Sequence, residues 1–312
     1  MDTSSRASDW ASDRIEAALN RALGRCETQA TPPALRAAMR HAVFPGGGRL
    51  RPNLCLSVAA ACGVGSELDA QADIGAAIEL LHCASLVHDD LPCFDDAALR
   101  RGRPSVHAAY GEELAVLAGD GLIVLAFELV ASARISPALV PPLIRCIARG
   151  VGAGGGLVAG QAWESEQSVG LRTYHKAKTG ALFEAGAHAG ALLAGSAPSR
   201  AQSWGAFGAR LGEAYQVADD LRDTLDDTAS LGKPVGQDMA HDRPNACMTL
   251  GIEGALERLR ALLDQAVEAM PACPQPERVV SWVEDFGARL YPRAVRVHQP
   301  SANGTVVADL RA

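Results

Sequence analysis

Residues 79–107 have the sequence ELLHCASLVHDDLPCFDDAALRRGRPSVH. The stretch up to Val87 is almost uncharged and continues a helical apolar pattern, which predicts a long buried helix over residues 69–90. Pro92 ends this helix, because proline disfavours helical geometry at the residue before it. The segment therefore predicts a buried helix that runs directly into an acidic, arginine-rich loop.

Four carboxylates, on Asp89, Asp90, Asp95 and Asp96, follow the apolar stretch. They lie at the carboxyl end of the predicted helix, where the macrodipole is negative, and they repel one another. A solvated acidic run is the ordinary interpretation of such a cluster. Carboxylates that emerge from a buried helix need cations, however, and hard divalent cations such as Mg²⁺ take oxygen ligands.

A second acidic cluster repeats this design 130 residues later, in YQVADDLRD at 215–223. Asp219 and Asp223 are four residues apart and share a helix face, and Asp220 lies between them. Two such clusters on separate buried helices can face each other and hold several Mg²⁺ ions between them, with a polyanionic substrate supplying the other oxygens.

The remainder of the chain predicts helices without a convincing strand, repeat or linker. We expect an all-α protein: a single large helical bundle with a central cavity, forming one domain over 1–312, with flexible tails at 1–8 and about 297–312. The predicted helices cover about 9–26, 33–44, 52–62, 69–90, 111–133, 136–149, 157–166, 171–194, 199–226 and stretches from 244 to 290, and 232–238 is predicted to be a loop.

Composition excludes several function classes. Aromatic residues make up only 4% of the 312 residues and the formal net charge is −7, which disfavours sheets and nonspecific nucleic-acid binding. The eight cysteines form no C-x-x-C pair and are interpreted as thiols of a reducing compartment. Without a signal-like start or a long uncharged apolar run, we expect no membrane span and a cytoplasmic location.

Basic residues accompany the acidic clusters and suit a diphosphate, whose oxygens match the guanidinium fork. They are Arg49, Arg51, Arg100, Arg101, Arg103, Lys178, Lys233 and Arg243.

These motifs together resemble the trans-polyprenyl diphosphate synthase family. The matching stretches are GGGRLRP (46–52), residues 79–107, GQAWE (160–164), KTG (178–180), YQVADDLRD (215–223) and GKPVGQD (232–238). The chain is most similar to bacterial geranylgeranyl diphosphate synthases of carotenoid and bacteriochlorophyll pathways. The resemblance implies Mg²⁺-dependent head-to-tail condensation of isopentenyl diphosphate with dimethylallyl, geranyl or farnesyl diphosphate, by a homodimer.

The resemblance also implies residue roles. Asp89 and Asp95 of the first motif and Asp219 of the second would hold three Mg²⁺ ions, supported by Asp90, Asp220 and Asp223. The allylic diphosphate would be held by Arg100, Lys178, Thr179, Gln216 and Lys233. Isopentenyl diphosphate would be held by Arg51, His82 and Arg101. Carbonyls near Lys178 and Thr179 would stabilise the allylic cation if the helix is kinked there.

One departure from the family pattern concerns GGKRLRP, whose lysine contacts isopentenyl diphosphate. Gly48 occupies that position here, so either the affinity for that substrate is lower or Arg49 compensates. None of the departures removes a predicted metal ligand.

Product length in the family depends on residues beneath the first motif. Ala84 lies five residues before Asp89, about 7.5 Å deeper along a helix, and Ser85 lies one turn below Asp89. Farnesyl-producing relatives with the same motif length place an aromatic residue at the Ala84 position. Two small residues therefore favour a twenty-carbon product, although they are also compatible with plain packing roles.

Four alternatives remain at this point. A farnesyl diphosphate synthase would share all of these motifs. A terpene cyclase would not need Arg51, His82 and Arg101. A weakly active partner subunit of another prenyl synthase often lacks one aspartate motif, and both are present here. A di-iron bundle would need Glu-x-x-His pairs, which are absent at the right places.

Overall fold

The computed structural model describes residues 3–44, 46–64, 69–225 and 245–292, and their side chains from residue 11 onward. The helices are α1 (Thr3–Arg25), α2 (Pro33–Val43), α3 (Leu50–Ala61), α4 (Asp69–Asp89), α5 (Val106–Tyr110), α6 (Glu112–Ala131), α7 (Val140–Val151), α8 (Leu157–Ala162), α9 (Leu171–His175), α10 (Ala181–Leu193), α11 (Pro198–Leu225), α12 (Ala246–Glu268) and α13 (Glu277–Leu290). Short 3-10 turns cover Pro137–Leu139 and Trp163–Ser165, and a π-helical turn covers Lys176–Gly180.

The all-α prediction is confirmed. One cluster of buried apolar residues extends from Ala11 in α1 to Leu290 in α13. Helix α10 is central and packs against α3, α7 and α11, while α4 packs against α1, α3 and α6. The assignment of all 312 residues to one domain stays a prediction.

Small residues allow the central helices to approach closely. A Cβ atom on Gly190 of α10 would lie 2.3 Å from the carbonyl oxygen of Cys55 in α3, and one on Gly208 of α11 would lie 2.5 Å from that of Phe183. Since both distances are far below van der Waals contact, the two glycines are required for this packing.

The expectation of no strand is wrong at one place. Leu99–Arg100 (β1) pairs antiparallel with Arg103–Pro104 (β2) across a two-residue turn. Arg101 and Gly102 both have positive φ, 54° and 74°, as a type I′ hairpin turn requires. Strands of two residues are too short to show an alternating pattern, so the sequence could not reveal them.

Helix boundaries otherwise differ from the predictions by small amounts. Helix α1 begins at Thr3 rather than near Asp9, because its first turns carry no apolar stripe to reveal them. The helix predicted over 171–194 is interrupted by the π-helical turn, and the one over 157–166 ends in a 3-10 turn. The predicted loop 232–238 lies outside the described residues.

Among the described helices, α6 is the one with the length and apolar composition to cross a membrane, and 44% of that stretch is buried inside the protein. Its inner face packs against α4 and α2. A core helix of a soluble protein has the same properties, so α6 is weak evidence for a membrane span.

Candidate active site

The first acidic motif lies at the carboxyl end of α4. Asp89 is the last helical residue, and the loop after it folds back through backbone hydrogen bonds from Asp95 N to Asp89 O (3.0 Å) and from Ala97 N to Asp90 O (3.1 Å). This returns Asp95 to the helix end beside Asp89. The predicted pair of outer aspartates is therefore assembled by local backbone structure.

Glu164 completes this acidic site from another element. The 3-10 turn after α8 places it so that carboxylate oxygens of Asp89, Asp95 and Glu164 all lie within 4.8 Å of one another. Sequence reasoning missed Glu164, treating 160–164 only as a matching stretch. The available signal was a single acidic residue three positions after Gln161 in that otherwise uncharged motif.

The chemistry of these three groups fits a hard divalent cation. Burial raises the pKa of Asp89, Lys178 opposes the rise, and the nearby carboxylate of Asp95 adds to it. The Oδ1 atom of Asp89 is buried and accepts no hydrogen bond from the residues that the structure describes. Three clustered carboxylates with an unsatisfied oxygen match the oxygen ligands that Mg²⁺ prefers.

Asp90 has a different environment from Asp89. It is only 2% exposed, and the Nε atom of Arg100 lies 2.9 and 3.2 Å from its two oxygens. The β1–β2 hairpin holds Arg100 in this position. Asp90 and Arg100 therefore neutralise each other here, and their predicted roles toward metal and substrate stay predictions.

The π-helical turn Lys176–Gly180 supplies the helix distortion that the resemblance had suggested. Such turns are frequent at functional sites. Lys178 Nζ forms an ion pair with Glu164 and lies 3.8 Å from Asp89 Oδ1, while Thr179 Oγ1 donates a hydrogen bond to Gln216 Oε1 (2.6 Å). The turn thus contacts both acidic motifs.

Asp220 of the second motif is buried, at 1% exposed, and its oxygens already accept hydrogen bonds. Gln216 Nε2 donates to Oδ1 (2.9 Å), and the backbone N of Ala246, at the start of α12, donates to Oδ2 (2.6 Å). The buried His175 Nε2 lies 3.3 Å from the same Oδ2, without the angle of a hydrogen bond. Asp220 therefore connects α11 to the start of α12, and through Gln216 it connects to Thr179 of the π-helical turn.

Asp219 and Asp223 lie one turn apart on α11, as predicted. Arg222, which sequence reasoning did not select, donates to Asp219 Oδ1 (3.2 Å) and places its guanidinium 5.4 Å from the ring centre of Tyr215. The cation–π contact fixes Arg222 beside the motif.

The residues predicted to hold isopentenyl diphosphate form an electropositive cluster. Burial lowers the pKa of His82 well below its usual value, and Arg51 and Arg101 lower it further. Arg51 is 7% exposed, and its guanidinium lies 4.7 Å from the ring centre of Phe183. Within the described part of the chain its buried Nε donates no hydrogen bond. An unsatisfied guanidinium donor beside an imidazole whose pKa is lowered is suited to an anionic ligand.

Known proteins are similar to this chain in sequence and in structure. The family model for polyprenyl synthetase matches residues 32–280. The chain belongs to the polyprenyl synthetase family. A geranylgeranyl diphosphate synthase of Cereibacter sphaeroides is 49% identical, covering 90% of this chain and 97% of that protein. A geranylgeranyl diphosphate synthase of Rhodobacter capsulatus is 48% identical, over 89% and 95%.

Solved structures are also similar to this polyprenyl synthetase. A farnesyl/geranylfarnesyl diphosphate synthase of Zymomonas mobilis has a TM-score of 0.77 at 30% identity, covering 91% of this chain and all (100%) of that one. A Helicobacter pylori geranyltransferase, solved with magnesium and isoprenyl diphosphate, has a TM-score of 0.70 at 29% identity, over 88% and 94%. The fold assignment therefore has support independent of the motifs.

Gly48, which the resemblance aligned with a lysine, directly precedes the buried Arg49. Arg49 is 4% exposed and points into the protein, where Nε donates to Glu16 (2.7 Å) and NH1 donates to Glu79 (2.8 Å). These structural contacts occupy the guanidinium and argue against the alternative that Arg49 compensates for Gly48, whose effect stays a prediction.

The two residues predicted to set the product length both lie on α4. Ala84 is buried on α4, at 1% exposed, and Ser85 donates its hydroxyl to the carbonyl of His82 (2.8 Å). Their roles in chain length stay predictions. Lys233 lies outside the described residues.

Proposed function

We propose that this polyprenyl synthetase condenses isopentenyl diphosphate head to tail with allylic prenyl diphosphates and that its main product is geranylgeranyl diphosphate. The observation that carries the proposal is the π-helical turn between two acidic motifs, with Lys178 beside Asp89 and Thr179 joined through Gln216 to the second motif. The two geranylgeranyl diphosphate synthases that are 48–49% identical support the product.

Magnesium would be held by the outer aspartates of both motifs. On the first side these are Asp89 and Asp95 together with Glu164, and on the second side Asp219 and Asp223. When bound, Mg²⁺ neutralises the allylic diphosphate and makes it a better leaving group. The three-ion stoichiometry is part of the proposal, and so is a supporting role for Asp90, which bonds to Arg100, and for Asp220, which bonds to Gln216.

The protein's own groups orient the reactants. Lys178, Thr179, Arg100 and Lys233 hold the allylic diphosphate, while Arg51, His82 and Arg101 hold isopentenyl diphosphate. The allylic C1–O bond breaks, the double bond of isopentenyl diphosphate attacks C1, and a proton is lost to the departing diphosphate. No protein nucleophile is required, so positioning and electrostatic stabilisation carry the catalysis.

The homodimer and the cytoplasmic location belong to this proposal as well. Helix α6 exposes Val116 (41%), Leu117 (53%) and Val124 (67%) on its outer face. These apolar side chains flank the exposed Asp120, and we place the contact between two copies along this face of α6. Light scattering of Leu117→Glu/Val124→Glu should give half the mass of the parent, and an unchanged mass would refute this placement.

The experiment that tests the proposed reaction supplies Mg²⁺, isopentenyl diphosphate and each allylic primer in turn, with products sized by mass spectrometry. We expect a twenty-carbon diphosphate from all three primers and no product from Asp89→Asn. A fifteen-carbon limit would identify a farnesyl diphosphate synthase instead. Absence of any condensation would identify a partner subunit, with Gly48 as the first residue to replace by lysine.

A further inference from the structure

A surface groove lies outside the catalytic site, on the opposite side of α8 and of the π-helical turn. It is a groove of about 1220 Å³ bounded by α7, α8, α10 and the first turn of α11. Ligand pockets in proteins usually measure about 300–1,000 Å³, so this groove suits a long ligand. None of the aspartates of the two motifs lines it.

The groove has a basic wall. Arg145 and Arg149 are four residues apart on the outward face of α7, and Lys176 lies on the other side. Within the described part of the chain none of these three side chains forms an ion pair. Glu166 and Glu184 also line the groove, which leaves three cationic side chains against two anionic ones.

The floor of the groove is apolar and made of small residues. Ala162, Ala181, Ala185 and Leu192 line it, and Val158 is 55% exposed there. Apolar floor residues beside arginines that form no ion pair within the described residues match a ligand with a long hydrocarbon chain and an anionic phosphate end. A short polar anion would leave most of the groove unfilled.

The groove shares a wall with the catalytic site. A Cβ on Gly160 would lie 2.3 Å from the backbone of Lys178, so α8 rests directly on the π-helical turn. On one side of this wall Glu164 and Lys178 form the ion pair of the active site, and on the other side Ala162 and Lys176 line the groove. A ligand in the groove therefore contacts the same two segments that position Glu164 and Lys178.

From these observations we propose that the groove binds a prenyl diphosphate of the product class and that occupancy slows condensation. The choice of ligand rests on the proposed function, since the protein itself would be the source of such a molecule. The diphosphate lies on Arg145 and Arg149, and the prenyl chain lies along the floor formed by Val158 and Ala162.

The test is equilibrium dialysis of labelled geranylgeranyl diphosphate with Asp89→Asn/Asp219→Asn protein in the presence of a chelator, which removes the metal-dependent site. We expect one molecule bound per chain. In the same background, Arg145→Glu/Arg149→Glu and the groove-filling Ala162→Trp should each weaken binding at least tenfold. Arg36→Glu, a charge reversal on α2 away from the groove, should leave binding unchanged.

Loss of binding in the Asp89→Asn/Asp219→Asn protein would overturn the proposal. Equal binding in that protein with and without the groove substitutions would also overturn it. Because Ala162→Trp does not alter charge, it carries the test if the double arginine variant fails to fold. In otherwise unaltered protein, product inhibition that persists at saturating substrates should disappear in the groove variants. Inhibition that is unchanged in them would refute the regulatory part.

Two further experiments distinguish a prenyl diphosphate from other occupants of the groove. Flotation with phosphatidylglycerol vesicles should be the same with and without the groove arginines, and a loss specific to the arginine variant would favour a membrane surface instead. An altered mass of the arginine variant in light scattering would favour a second copy of the chain. The dialysis does not depend on condensation. Absent groove binding in a protein that still condenses its substrates overturns only this inference. Groove binding in a protein that does not condense them overturns only the proposed function.

Discussion

Lys178 Nζ lies 3.8 Å from Asp89 Oδ1, although the two residues belong to segments almost ninety positions apart. Lys178 also forms an ion pair with Glu164, and Thr179, one residue later, reaches the second motif through Gln216. The π-helical turn is thus the element that joins both acidic motifs.

Lys178→Gln should lower kcat/KM for the allylic diphosphate by about 100-fold, because it removes a cation placed where negative charge develops on the leaving group. Steady-state kinetics with each primer would measure this. Lys176→Gln, on the same turn but facing the outer groove, is the matched control and should retain near-parental kcat/KM. Equal losses in the two variants would contradict the assignment.

Glu164→Gln should raise the Mg²⁺ concentration for half-maximal activity by about tenfold, because one of three clustered carboxylates is lost. The exposed Glu166, two residues later, provides the control Glu166→Gln. A magnesium titration of both variants separates metal affinity from general damage. An unchanged magnesium requirement in Glu164→Gln would remove Glu164 from the metal site.

Asp219 and Asp220, which are neighbours in the second motif, should respond differently to replacement by asparagine. Asp220→Asn should lower the free energy of unfolding by about 1–3 kcal/mol, because Asp220 accepts two buried hydrogen bonds. Asp219→Asn should abolish magnesium-dependent turnover with little change in stability. Urea denaturation and magnesium titration of the pair would show the contrast, and similar stability losses would argue against it.

Ala84→Tyr should shorten the main product from twenty to fifteen carbons, because the ring would fill the space beneath the first motif. Overpacking at this buried site should cost about 1–3 kcal/mol of stability. Ala84→Ser is the size-matched control and should keep the parental product. Mass spectrometry of both product sets decides, and a twenty-carbon product from Ala84→Tyr would refute the chain-length role.

His82 should make stability depend on pH. Burial and the arginines keep its pKa in the folded protein well below the usual value. As pH falls below the ordinary histidine pKa of about 6.5, the unfolded chain binds a proton that folded His82 does not, so the free energy of unfolding decreases. His82→Asn should therefore lose less stability between pH 7.5 and 5 than the parent in urea titrations. An identical loss in both would contradict a lowered pKa of His82 in the folded protein.

Much of this structure was predictable because its signals are local. The apolar stretch before Asp89 and the proline after it predicted α4 to within a residue of its end, and the i, i+4 spacing placed Asp219 and Asp223 on one face. Arg51, His82 and Arg101 were selected by family resemblance, and the structure brings them together.

What the sequence could not reveal depends on nonlocal geometry. Glu164 joins Asp89 only because a 3-10 turn follows α8, and no periodic pattern encodes that turn. The difference between Asp219 and Asp220 appears only once Ala246 of α12 is found to donate to Asp220. Likewise, the burial of Arg49 against Glu16 and Glu79 is a long-range contact that the GGGRLRP motif does not announce.

The most direct test of the central claim is elongation of farnesyl diphosphate by labelled isopentenyl diphosphate, with Mg²⁺ and with a chelator. We predict one labelled five-carbon unit added per primer, giving geranylgeranyl diphosphate only when Mg²⁺ is present. A protein that is folded and binds both substrates but leaves farnesyl diphosphate unextended would contradict the twenty-carbon assignment. Product formation that persists in the chelator would contradict the metal-dependent site at Asp89, Asp95 and Glu164.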